Sequence, residues 1–62
     1  MRKAYKMIDG NNNVFTSVHH ITAYRFFRLH GGNSVLIIDP DGNKKKFEKL
    51  PDGRIIEINI EH

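Results

Sequence analysis

With four histidines in 62 residues, metal ligation is the first chemistry this sequence raises. His19 and His20 are adjacent, so on a helix their side chains point about 100° apart and do not converge on one ion. The i, i+4 spacing that places two histidines on one helix face, as in HExxH, is absent. His30 is distant and His62 is the last residue. There is no cysteine, which excludes thiolate ligands and disulfides together. A histidine site would need a carboxylate from elsewhere, and no metal is expected. Asp39-Pro40-Asp41-Gly42-Asn43 has the oxygen-rich look of a calcium loop. An EF-hand, however, requires glycine at its sixth position and glutamate at its twelfth, where Lys44 and Leu50 stand. The segment reads as a hairpin turn.

Catalytic groupings are equally sparse. Ser17 lies two residues before His19, but sequence adjacency does not make a nucleophile and its base. The seven carboxylates fall in turns and on alternate strand positions, with no pair in an apolar setting that would raise a pKa. Gly31-Gly32-Asn33 follows a helix instead of opening one, so it is no phosphate cradle. A chain this short has little room for an enzyme-sized pocket. No catalytic residue, cofactor or small-molecule substrate is expected.

Two groups remain. Lys44, Lys45, Lys46 and Lys49, with Arg54 nearby, form a basic hairpin arm. Such an arm either contacts phosphates or guards a sheet edge against aggregation. The second group is aromatic and basic. On a helix with Val18, Thr22, Phe26 and Leu29 toward the sheet, Phe27 points the opposite way. His20, Ala23 and Tyr24 then surround it, with Arg25 and Arg28 at the rim. That composition suits the centre of a protein contact.

The elements that must position these groups are set off by turns at Asp9-Gly10, Gly31-Gly32-Asn33, Asp39–Asn43 and Pro51-Asp52-Gly53. Ile56, Ile58 and Ile60 alternate with Glu57, Asn59 and Glu61, which predicts a strand over 54–61 with one apolar face. Residues 34–39 predict a central strand, because Val35 and Ile37 oppose Leu36 and Ile38. Residues 44–50 complete a hairpin with it as a lysine-guarded edge. Tyr5, Met7 and Ile8 pair with Val14-Phe15 in a short N-terminal hairpin. Over 17–30, Thr16 or Ser17 can cap a helix that Gly31 stops, and Arg25, Arg28 and His30 suit its C-terminal end.

The expected fold is therefore α+β, one helix (about 17–30) packed on a small mainly antiparallel sheet in the order ββαβββ. The alternative is an all-β meander or small barrel. The length leaves room for one domain over 1–62, and a domain of this size has marginal stability that favours a partner. The longest aliphatic run, Val35–Ile38, is far short of the ~20 residues that span a membrane. Residues 1–15 lack a signal-peptide pattern, so a cytoplasmic location is expected. A net charge of +3 is a mild basic excess. The function expected is non-catalytic protein–protein contact, as an inhibitor, adaptor or regulator of accessory-protein-like size, with a protein partner or as a homodimer. A nucleic-acid-binding module using Lys44–Lys46, Lys49 and Arg54 is the alternative.

Overall fold

Three turns of one design build the sheet. In the computed structural model, which describes residues 3–58, the Asp9 and Asn13 backbones are joined by an N–H···O bond of 3.0 Å, and the Asn12 N–H returns to the Asp9 carbonyl. Asp39, Gly42 and Asn43 repeat this pattern, as do Leu50, Gly53 and Arg54. The fourth residue of each turn has positive φ: Asn12 at 67°, Gly42 at 89° and Gly53 at 95°. Glycine and asparagine tolerate that region best. In the first two turns an aspartate secures the loop. Asp9 Oδ1 accepts from the N–H groups of Asn11 and Asn13, and Asp39 Oδ1 accepts from those of Asp41 and Asn43.

These turns join β1 (Tyr5–Asp9) to β2 (Val14–Ser17), β3 (Ser34–Ile38) to β4 (Lys44–Lys49), and β4 to β5 (Ile55–Ile58). The helix α1 (Ala23–His30) carries the chain from β2 to β3, giving the ββαβββ order. The sheet is open and antiparallel throughout, in the order β2-β1-β3-β4-β5. It is not a barrel. β3 is the middle strand, as its two-sided apolar pattern predicts. β4 differs from expectation: it lies between β3 and β5, so its lysines do not guard an edge. The edges are β2 and β5. Of the predicted strand 54–61, residues 59–61 lie outside the described residues.

The helix is shorter than expected and begins at Ala23, not near Ser17. Ser17 accounts for part of the difference. Its Oγ accepts from the His19 N–H at 3.0 Å and donates to the His19 carbonyl at 2.8 Å, closing a local turn that competes with helix. Thr22 is the actual cap, extended in backbone, with Oγ1 accepting from the Arg25 N–H at 3.2 Å. At the other end Gly31, at φ 74°, donates its N–H to the Phe27 carbonyl.

Starting the helix at Ala23 fixes which side faces the sheet. Ala23, Phe26, Phe27 and His30 stand at i, i+3, i+4 and i+7, one continuous stripe. Ala23, Phe26 and Phe27 are buried there with Met7, Val35 and Ile37. Phe15 meets Phe26 edge-on at 5.4 Å and stacks on the His30 ring at 4.2 Å. Val18 and Leu29, expected to face the sheet, are exposed instead. Phe27, expected to point outward, is only 5% exposed.

Candidate functional site

The side of α1 away from the sheet gathers Tyr24, Arg25, Arg28 and Leu29. Tyr24 is 61% exposed and Leu29 63%, large apolar surface for residues of a short helix. The Arg28 guanidinium carbon lies 5.8 Å from the Tyr24 ring centroid, one helical turn away, and Nη1 donates to the Tyr24 hydroxyl at a long 3.4 Å. A shallow depression of about 430 Å³ is lined by these four residues and Thr22. The helix carries no acidic residue. Among the described residues the ion pairs are Lys3–Asp41 and Arg54–Asp52, so neither helix arginine is neutralised by a neighbour.

Of the six helix-face residues drawn from sequence, the structure brings together Tyr24, Arg25 and Arg28. Phe27 and Ala23 are buried in the core and do not reach this surface. His20 precedes the helix and packs edge-on against Tyr5, with ring centroids 5.4 Å apart. It lines a separate cleft of about 240 Å³ with Ile37 and Lys45. Leu29, expected against the sheet, lies on the outer side because the helix starts six residues later than expected. The i, i+3, i+4, i+7 stripe beginning at Ala23 is the signal that identifies it.

The lysine arm divides between the two faces of the sheet. Val35 pairs with Phe47 and Ile37 with Lys45, which puts Lys45 and Lys49 on the helix side. Lys44 and Lys46 point to the other face. Lys6 joins them there, because it pairs with Ile38, which pairs in turn with Lys44. Arg54 stands apart in the last turn, where its Nε donates to Asp52 Oδ2 at 2.8 Å. The five arm residues therefore do not form one basic surface.

The same alternation sets the apolar pattern of the uncovered face. Val14, Ile8, Leu36, Ile38, Ile56 and Ile58 lie on the side opposite the helix. The apolar side of β5 thus turns away from the helix, and Ile55 packs against the core instead. Val14 is 56% exposed and Ile56 41%.

The carboxylates that deviate from ordinary behaviour serve the turns. The Asn13 backbone N–H, followed by its side-chain amide, holds Asp9 below the usual 3.8. The Asn43 backbone N–H does the same for Asp39. Among the described residues no three His, Cys, Asp or Glu side chains cluster as metal ligands, and no helix is long and apolar enough to cross a membrane. His62 lies outside the described residues. No protein-family model, curated protein or solved structure matches the chain.

Proposed function

We propose that this chain acts in the cytoplasm as a non-catalytic binding protein. It docks on an acidic surface of another protein through Tyr24, Arg25, Arg28 and Leu29. The observation that carries this reading is the exposed Tyr24–Leu29 pair flanked by two arginines on a helix without a single acid. Tyrosine and arginine are the side chains that most often dominate binding energy at protein contacts. Tyr24 offers a rigid apolar ring, and Arg28 is already held over it. Two cations that pair with no carboxylate among the described residues favour a negatively charged surface and steer its approach. The divided lysine arm supports the nucleic-acid alternative less well, since phosphate contacts gain from cations gathered on one side.

The test is comparative capture. Wild type and a Tyr24→Ala/Arg28→Ala variant, each immobilised, are exposed to lysate of the source cells at low and raised salt. A discrete protein retained by wild type, lost by the variant and weakened by salt is the expected result. An identical retained set on both would refute this surface.

A further inference from the structure

The sheet face opposite α1 holds a second pattern, independent of the helix. Cross-strand register arranges it in three rows. The central row runs Val14, Ile8, Leu36, Lys46, Ile58 across all five strands. On one side lies Thr16, Lys6, Ile38, Lys44, and on the other Ser34, Glu48, Ile56. No described element covers these rows, since α1 occupies the other face.

We propose that this face is a self-complementary interface on which a second copy of the chain packs, about a two-fold axis running across the strands along the central row. Such an axis lays the central row on itself, so Val14, Ile8 and Leu36 each meet their own counterpart. It also exchanges the outer rows. Lys44 and Glu48 flank Lys46 on β4 at equal distances, and the exchange sets each Lys44 against the other copy's Glu48. The match occurs twice by symmetry. An axis parallel to the strands would instead set β4 over β1 and oppose Lys44 to Lys6 twice, two like-charge pairs where the first arrangement has two opposite-charge pairs and a single Lys46 pair.

Two further observations favour a second copy over other occupants. Among the described residues the face carries no aromatic side chain, so they offer no platform for unpaired bases. Its size also fits. Five strands about 4.8 Å apart and some five residues long give a face-to-face contact burying on the order of 1,000 Å² in total, the size of a weak, reversible protein contact. The aligned packing of two such sheets is an ordinary arrangement. Lys46 lies on the axis opposite its own counterpart and sets the limit on affinity. The dimer would present its two α1 outer faces on opposite sides, and its existence does not depend on what those faces bind.

Sedimentation equilibrium of the full chain from about 1 µM to about 1 mM tests the proposal. Wild type should associate reversibly to a dimer. Lys44→Glu should weaken it roughly tenfold, and the double reversal Lys44→Glu/Glu48→Lys should restore it to within about threefold. Lys46→Leu should tighten it by about tenfold. These strand positions lie outside the core, and circular dichroism checks that each variant folds. Tyr24→Ala should leave the dimer unchanged. Monomeric wild type over the whole range would overturn the proposal, as would a double reversal that fails to restore association. Loss of the dimer with Tyr24→Ala would move self-association to the helix and overturn it too. So would tight binding of a fluorescent DNA duplex that Lys44→Glu abolishes, because the face would then serve phosphates.

Discussion

Phe26 and Phe27 are consecutive on α1 and both buried, their rings meeting edge to face with centroids 6.0 Å apart. Neighbouring helical positions diverge by about 100°, so burying both takes a wide arc of the helix. Tyr24, Arg25, Arg28 and Leu29 are left on the remaining arc, which gives the outward face its composition. Phe27→Ala should therefore cost stability as Phe26→Ala does, about 3–5 kcal/mol each, enough to unfold much of a domain this small. Urea denaturation of both variants decides it. A fully stable Phe27→Ala protein would mean that the ring is not part of the core.

The three turns predict a contrast at one equivalent position. Gly42 and Gly53 occupy positive φ where Asn12 stands in the first turn. Nothing crowds a methyl group at either glycine, so the penalty for alanine is conformational alone. Gly42→Ala and Gly53→Ala should each destabilise by about 1–2 kcal/mol. Asn12→Gly should be neutral or gain a few tenths of a kcal/mol, in line with the small preference of that region for glycine. Thermal melts of the three variants check the pattern, and a stabilising Gly42→Ala would contradict the assigned turn.

Acid should loosen the same turns. Asp9 and Asp39 are held below 3.8 chiefly by the backbone N–H groups of Asn13 and Asn43. Their folded pKa values are depressed, so the unfolded chain takes up protons first. The stability they contribute is full above the unfolded value and is lost as pH falls through the folded one, in the acid window below the ordinary carboxylate value. Both groups are exposed, so the effect is small. An Asp9→Asn/Asp39→Asn variant should show a flatter stability profile over that window, measured as urea midpoints at successive pH values. A profile as steep as that of wild type would place the acid sensitivity elsewhere.

Thr22 caps a helix of only eight residues. Thr22→Ala should remove about 1 kcal/mol and Thr22→Ser or Thr22→Asp should retain most of it. Ser17→Ala should not shorten the helix, since Ser17 closes a turn with His19 outside it. Backbone chemical shifts over 17–30 distinguish the two caps, and a helix lost in Ser17→Ala would mean that Ser17, not Thr22, is the cap.

The element order was legible because turn residues and strand alternation are local signals. The paired apolar faces of residues 34–38 marked β3 as central, and the N-terminal hairpin followed from Asp9-Gly10. The helix start was not legible, because Ser17 and Thr22 are both competent caps and only the local turn around His19 separates them. That six-residue difference rotated the inferred face and carried Phe27 outward and Leu29 inward. Strand neighbours are set by long-range pairing, so the lysine-rich β4 read as an edge although β5 covers it. The shared Asp-to-Asn spacing of residues 9–13 and 39–43 was visible, but its common geometry appears only with the backbone bonds.

Site-directed photo-crosslinking tests the central claim most directly. A photoreactive phenylalanine analogue is placed in turn at position 24, at position 29 and at the exposed turn residue Asn11 of the full chain, so that both helix arginines are kept, and each protein is irradiated in source-cell lysate. Positions 24 and 29 should give the same covalent adduct to one acidic protein, weakened by salt, and position 11 should not. Adducts from position 11 equal to those from 24 and 29, or none from the helix, would contradict binding through the outer face of α1.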